Sequence, residues 1–325
     1  MRVPELWSFI EFDFVKHRAC DTAFQMASEA KRDAKILEAK PCGIIFSPYV
    51  PDELKRYGLE KVYFFETTEA IPPEIVAENI YSQALNNQPK MILFPSSATG
   101  AEIGSRVAAK LQGSFISNCI DFEVKGREII ARRPIYRGVA NQYVKFLGDP
   151  PYVATIDLKS LDAVEEEERE IEVIHIQIEN KKSKTRILRR WKLPPSEMPI
   201  TEASVVIGVG GAVDKEFMPV IEELSEYLEG AIGATRVAVD KGLVSVDRQI
   251  GATGKFINAD VYIAVGISGS TRHTVGISNV KHIIAINIDK NANIFKLSEL
   301  EIVDDLYEVI PRLVEFLSQI KEGAE

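Results

Sequence analysis

Short apolar runs alternate with longer amphipathic segments at both ends of this chain, and that alternation leaves few folds open. A run of about four to eight apolar residues makes a buried strand, and an amphipathic helix after it returns the chain to the same sheet in parallel. The early runs are Trp7–Phe12, Gly43–Ser47, Lys61–Phe65 and Met91–Pro95. Helices are expected between them at Ala19–Ala34, Pro72–Leu85 and Ala101–Leu111. In the last, Ile103, Val107 and Leu111 recur every four residues, and Ser97 or Thr99 can cap the first turn.

From Ser114 onward the helical period disappears. Strands are expected at Ile120–Val124, Glu128–Ile135, Gln142–Phe146 and Tyr152–Ile156, punctuated by Gly138 and by Pro150–Pro151. They should add mixed or antiparallel strands to the first domain. The acidic block Glu165–Glu168, a strand-like run at Ile171–Ile178 and the basic stretch Lys181–Lys192 lead into Pro194–Pro195. Opposed charge blocks followed by prolines read as a solvated connector, with a boundary near residues 185–200. The expected organisation is an N-terminal α/β domain over residues 1–190 and a C-terminal domain over 191–325.

The second domain opens with a strand at Ala203–Ile207 that runs into Gly208-Val-Gly210-Gly211. A helix is expected at Lys215–Glu229, with Pro219 in its permissive first turn. Further strands are read at Arg236–Val239, Val261–Val265 and His282–Asn287, and a closing helix over Asp304–Ile320. That pattern is a doubly wound parallel sheet.

A net charge of −9 argues against nucleic acid or an anionic membrane as the main partner. No apolar run approaches the roughly 20 residues a membrane span needs. The 3 cysteines, Cys20, Cys42 and Cys119, are widely spaced, without a C-x-x-C pair, so neither a disulfide framework nor a zinc site is expected. A reducing, cytoplasmic compartment follows as the simplest expectation.

Gly208–Gly211 lies between a strand and a helix, where backbone N–H groups can receive a phosphate, although a tight turn without a ligand would use the same glycines. The dinucleotide fingerprint G-x-G-x-x-G fails, because Val213 stands at its third glycine. Downstream, three polar loops follow strands: Gln249-Ile-Gly251-Ala-Thr253-Gly254-Lys255, Gly266-Ile-Ser268-Gly269-Ser270-Thr-Arg272-His273, and Asn287-Ile-Asp289. A doubly wound layout brings such loops to one mouth. Together they supply hydroxyls, amides, an imidazole and a guanidinium, which suits an aromatic heterocycle with a pyrophosphate tail better than a metal ion. His273 has no identifiable carboxylate partner, so ligand contact is a better expectation for it than general-base chemistry.

The segment from Gly233 to Asp305 resembles the alpha subunit of the electron-transfer flavoproteins, the family that includes the FixB proteins. The resemblance rests on Gly233-Ala-Thr-Arg236-Val-Ala-Val-Asp240, Gln249-Ile-Gly251-Ala-Thr253-Gly254-Lys255, Tyr262-Ile-Ala-Val-Gly266-Ile-Ser268-Gly269, His273, Ala285-Ile-Asn287 and Ile302-Val303-Asp-Asp305. The N-terminal half agrees through Ser96-Ser97-Ala98, Arg106-Val-Ala-Ala-Lys110-Leu111 and Ile116-Ser117.

The resemblance implies FAD held by the C-terminal domain, and a heterodimer with a beta subunit contacted by the N-terminal domain. It implies an electron carrier rather than an enzyme. Electrons would come from a flavin dehydrogenase such as the acyl-CoA dehydrogenase of fatty acid beta-oxidation, and would leave to a quinone oxidoreductase or a ferredoxin. By position, Arg236 would lie against the isoalloxazine, Thr253 and Ser268 near its polar edge and N5, and His273 at the pyrimidine carbonyl. Asn287 and Asp305 would hold the ribose–adenine end. Gln249, Gly251, Gly254, Lys255, Gly266, Gly269 and Asp289 would shape or border the same cleft. At an effective dielectric near 20, a cation about 4 Å from a developing negative charge is worth roughly 4 kcal/mol before desolvation.

Three positions depart from the family's pattern. Gly210 stands where an arginine is usual, Ala252 where a glutamine precedes the threonine, and Arg272 where a glutamine precedes the histidine. Arg272 can compensate for the charge missing at Gly210. Two alternatives stay open: a redox-silent nucleotide-binding or scaffold subunit, and a bifurcating variant with a second flavin in the beta subunit. A nicotinamide-dependent dehydrogenase is disfavoured by the broken fingerprint.

Overall fold

The computed structural model describes residues 3–136, 140–158, 161, 163–166, 168–179, 183, 185, 188 and 193–322. Gly138, Glu167 and most of the basic stretch Lys181–Lys192 lie outside the described residues. The chain forms two compact units, residues 1–188 and 189–325.

The first unit runs β1 (Glu5–Ile10), β2 (Phe12–Asp13), β3 (Arg18–Ala19), α1 (Asp21–Ile36), β4 (Lys40–Ser47), β5 (Lys61–Glu66), α2 (Pro73–Asn87), β6 (Met91–Pro95) and α3 (Ala98–Leu111). It continues through β7 (Phe115–Cys119), β8 (Asp121–Lys125), β9 (Glu128–Ile135), β10 (Ala140–Lys145), β11 (Tyr152–Ile156) and β12 (Glu172–Ile176). Seven strands make a parallel sheet in the order β12-β5-β4-β1-β6-β11-β7. Its central strands β1, β4 and β6 are buried on both faces and therefore read as continuous apolar runs. Val76, Ile80, Ile103 and Val107 of α2 and α3 cover one face. Ala23, Met26 and Ala30 of α1 cover the other. Ser97 caps α3 by accepting from the Gly100 N–H at 2.9 Å. The expected extra strands divide: β8, β9 and β10 form a separate antiparallel sheet, while β11 joins the parallel one between β6 and β7, a strand the sequence did not announce.

The second unit runs β13 (Val205–Val209), α4 (Met218–Tyr227), β14 (Ala231–Ala234), α5 (Arg236–Asp240), β15 (Val261–Val265), α6 (Thr271–Thr274), β16 (His282–Ile286), β17 (Leu300–Ile302) and α7 (Leu306–Glu322). Its five strands are parallel, in the order β14-β13-β15-β16-β17. The chain leaves β13 toward one edge and β15 toward the other, so the connections diverge between these two strands. That divergence opens a crevice at their C-terminal ends. Ile221 and Leu224 of α4 and Ile310 and Val314 of α7 pack on one face of the sheet. Ile250, Ile257, Ile267 and Ile294, all outside the strands, seal the other.

The strand expected at Arg236–Val239 is the helix α5. Thr235 Oγ1 accepts from the Ala238 N–H at 3.4 Å and turns the chain into a helix, so the Val-Ala-Val alternation is not a pleat. The strand itself lies five residues earlier, in the small-residue run Ala231-Ile-Gly-Ala234, registered against Val206–Val209. A Cβ on Gly233 would come within 2.5 Å of Ile250 Cδ1, so the glycine that makes this segment unlike a strand lets that methyl pack directly against the strand.

Candidate functional site

The crevice between β13 and β15 is a cleft of about 620 Å³. Four segments build its walls: the turn after β13, the start of α5, the Gln249–Thr253 turn, and the loop from Gly266 into α6. Of the residues expected to form the site, Arg236, Gln249, Thr253, Gly266, Ser268, Arg272 and His273 line it.

Glycines set how closely the backbones approach. The Gly210 N–H donates to the Val265 carbonyl at 2.8 Å, tying the first turn to the end of β15. A Cβ on Gly210 would stand 1.9 Å from the Gly266 carbonyl oxygen. No side chain fits there without moving backbone, so the departure at Gly210 is a packing requirement as well as a missing charge. Gly266 has φ +63°, a left-handed conformation that bulkier residues adopt at a cost.

Gln249, Gly251, Gly254 and Lys255 form one closed turn. The Gln249 Nε2 donates to Thr253 Oγ1 at 2.7 Å, and the Gln249 carbonyl accepts from the Lys255 N–H at 2.7 Å. Gly251 has φ +126°, and the Ala252 N–H donates to the Arg272 carbonyl at 2.7 Å, docking the turn on α6. Gly251, Gly254 and Lys255 therefore shape the wall through backbone geometry and are not among the lining residues.

Asn287, Asp289, Gly269 and Asp305 also lie away from the lining. Asn287 Nδ2 donates to the Ile267 carbonyl at 2.9 Å, bracing the loop after β15. Asp289 Oδ1 accepts from the Asn291 N–H, and Asp305 Oδ1 accepts from the Tyr307 N–H, each at 2.9 Å. Gly269, at φ +81°, lets its loop pass Ile294, whose N would be 2.1 Å from an added Cβ.

The charges are two guanidiniums and one carboxylate. Arg236 and Asp240 are one turn apart on α5, with Nε to Oδ2 at 3.6 Å, and both are largely exposed. Arg272 is exposed and makes no ion pair among the described residues. The cleft of a chain of net charge −9 thus carries a local positive excess.

His273 is 4% exposed. Burial pushes its imidazole down to about 4, against a smaller upward effect of the Ile250 backbone, so the ring is neutral at pH 7. Its Nε2 lies 2.8 Å from the hydroxyl of Tyr262, and its Nδ1 is buried without a hydrogen bond of normal geometry.

The residues that sequence reasoning missed here are Tyr262, Thr235, Val237 and Asp240, while Ser270, read as part of the polar loop after β15, lines the cleft as expected. Asp240 was visible as the acid four residues after Arg236 on a helix, a spacing concealed by reading α5 as a strand. Among the described residues, no His/Cys/Asp/Glu group could hold a metal ion, and no helix is long and apolar enough to cross a membrane.

Residues 199–278 match the family profile described as the electron transfer flavoprotein FAD-binding domain, and residues 16–180 match the electron transfer flavoprotein domain. The chain is 35% identical over 278 residues to the electron transfer flavoprotein subunit alpha of Bacillus subtilis, covering 83% of this chain and 84% of the relative. It is 31% identical over 300 residues to the subunit of the same name from Syntrophomonas wolfei, covering 91% and 94%. It is 28% identical over 309 residues to the FixB protein of Clostridium saccharobutylicum, covering 92% of each.

Proposed function

The chain belongs to the electron transfer flavoprotein alpha-subunit family, and from that premise we propose that its second unit holds FAD in the cleft between β13 and β15 and passes electrons between redox partners. The observation that carries this reading is the convergence of Arg236, Arg272 and a neutral His273 on one cleft. The residues suit the cofactor. Close-packed glycine turns leave room for a dinucleotide, Val237, 57% exposed, offers an apolar wall, and the guanidiniums match anionic groups. Bound FAD supplies reversible electron uptake, with its potential tuned by the surrounding charge.

What this chain contributes is orientation and electrostatics. Arg236 and Arg272 stabilise negative charge arising in the cleft, Arg236 more weakly because Asp240 opposes it. Thr253 and Ser268 offer hydroxyls beside the isoalloxazine, with Thr253 oriented by Gln249. His273 contributes one N–H and no net charge. Asn287 and Asp305 support the ribose–adenine end indirectly, by holding the loops around it.

Within this reading, the first unit contacts a beta subunit that completes the site, and the chain acts in the cytoplasm as a carrier without substrate chemistry of its own. The donor class is a flavin dehydrogenase such as acyl-CoA dehydrogenase, and the acceptor class a quinone oxidoreductase or a ferredoxin. The test is co-purification with the beta subunit, a visible absorption spectrum, and reduction by acyl-CoA with its dehydrogenase. A yellow heterodimer bleached by that couple is expected. A colourless complex that stays colourless in excess FAD overturns the assignment in favour of a redox-silent scaffold.

A further inference from the structure

The cleft wall contains one buried titratable pair whose partner the reading above leaves without a role. Tyr262, in the middle of the sheet on β15, is 0% exposed, and its hydroxyl lies 2.8 Å from His273 Nε2. Among the described residues that hydroxyl has no other hydrogen-bond partner. We propose that Tyr262 is the positioning residue of His273: it donates to Nε2, fixes the imidazole proton on Nδ1, and so makes His273 a donor rather than an acceptor toward a ligand in the cleft.

Three observations carry the assignment. A neutral imidazole has one N–H and one lone-pair nitrogen, so its two neighbours must be of opposite kinds. The Tyr262 hydroxyl has no other partner among the described residues, so a proton on Nε2 would leave both the hydroxyl hydrogen and the Nδ1 lone pair buried and unpaired. With the proton on Nδ1 the hydroxyl donates to Nε2, and the Nδ1 N–H alone is left over. Nε2 is then the lone-pair nitrogen, and the Tyr262 hydroxyl, kept protonated by its burial, is the donor that satisfies it. The seat for that hydroxyl exists because residue 208 is glycine, where a Cβ would be 1.8 Å from it. Nδ1 is buried without a hydrogen-bond partner on a residue that lines the cleft, so its N–H is the group of the ring left for a ligand there. A ring free to choose its tautomer would present a lone pair part of the time, and a lone pair repels a flavin carbonyl.

The ligand half of this inference rests on the FAD reading; the tautomer does not. The full chain, labelled with ¹⁵N-histidine, has 4 histidines, and long-range ¹H–¹⁵N correlation with His273→Gln as the assignment control identifies the ring. The apo chain is expected to show His273 as the Nδ1–H tautomer, and Tyr262→Phe to mix or reverse it. With the beta subunit present, Tyr262→Phe is expected to weaken FAD binding about tenfold, the scale of one hydrogen bond. An Nε2–H tautomer in the parent overturns the proposal even if the variant does not fold. An unchanged tautomer in folded Tyr262→Phe overturns it as well. A shifted tautomer with unchanged FAD affinity removes the donor role, whereas a parent of the expected tautomer that binds no FAD refutes the cofactor assignment alone.

Discussion

The carbon that alanine would add at Gly208 falls 1.8 Å from the hydroxyl oxygen of Tyr262, 2.3 Å from Cζ and 2.6 Å from Cε2. The two residues sit on adjacent parallel strands, β13 and β15, with Val206 facing Tyr262 and Gly208 facing Ala264. The first glycine of the cluster therefore accommodates an aromatic ring, not a phosphate. Gly208→Ala is expected to destabilise the second unit by about 1–3 kcal/mol, the usual cost of overpacking. Tyr262→Phe in the same chain should not rescue it, because Cζ and Cε2 still collide. Urea unfolding of the single and double variants checks this, and wild-type stability of Gly208→Ala would contradict it.

Gly210 is constrained by backbone alone. An added Cβ would be 1.9 Å from the Gly266 carbonyl oxygen and 2.4 Å from its carbonyl carbon, so no rotamer change relieves the contact. Gly210→Arg, which restores the charge usual in the family, is expected to lose at least about 2 kcal/mol of stability and to retain less FAD than the parent. Thermal unfolding and flavin content decide it. A Gly210→Arg chain that is both stable and richer in flavin would mean that the missing charge, not the packing, is the consequence that matters.

The parallel architecture was legible because strands buried on both faces must be apolar throughout: Met91–Pro95 and Val261–Val265 have the same bounds in sequence and structure. What misled was the segment where tertiary pairing and a helix cap override local propensity. Ala231-Ile-Gly-Ala234 is strand because it pairs in register with Val206–Val209, and Arg236-Val-Ala-Val is helix because Thr235 caps it. β7 and β17 were missed because each is a short edge strand with polar residues, Ser117 and Asn118 in one and Glu301 in the other. The site separates the same way. Polar side chains at strand ends announced the cleft, but Tyr262, central in an apolar strand, carries no local mark of its contact with a residue eleven positions on.

Arg272 lines the same cleft as Arg236 without an opposing carboxylate, so its charge should be felt by whatever anion develops there. Arg272→Gln is expected to lower the two-electron potential of the reconstituted heterodimer by about 30 mV, equivalent to about 1.4 kcal/mol, and Arg272→Lys to keep most of it. Spectroelectrochemical titration measures the shift. Equal potentials and equal FAD affinities in parent and Arg272→Gln would exclude a compensating role.

The first unit carries a buried acidic pair on α1. Burial raises Asp33 well above the usual carboxylate range, reinforced by the neighbouring Glu29 charge and opposed by Arg32, and burial raises Glu29 to about 7. The folded state therefore binds more protons than the unfolded chain from about pH 4.5 upward, and stability must fall as pH rises through 7. Asp33→Asn, a neutral isostere, is expected to be more stable than the parent, by a margin that widens from pH 5 to pH 8 as the parent's buried carboxyl is forced to ionise. Urea midpoints at the two pH values provide the comparison, and parallel pH profiles for parent and variant would remove the pair as the cause.

Asp240 is the counterweight to Arg236, with Oδ2 3.6 Å from Nε on the same exposed face of α5. Such a surface pair adds at most about 1 kcal/mol to stability, so removing the carboxylate should leave folding almost unchanged. Its effect on the cleft is larger in proportion, because Asp240 is the carboxylate among the lining residues and offsets one of two guanidiniums. Asp240→Asn is therefore expected to tighten FAD binding two- to fivefold at low ionic strength. The gain should shrink toward nothing near 1 M salt, where the screening length falls to about 3 Å. Affinity measured across a salt series separates the two contributions: a gain that persists undiminished at high salt would point to a changed shape of α5 rather than to the removed charge, and no gain at any salt would mean that Arg236 does not act on the ligand through its field.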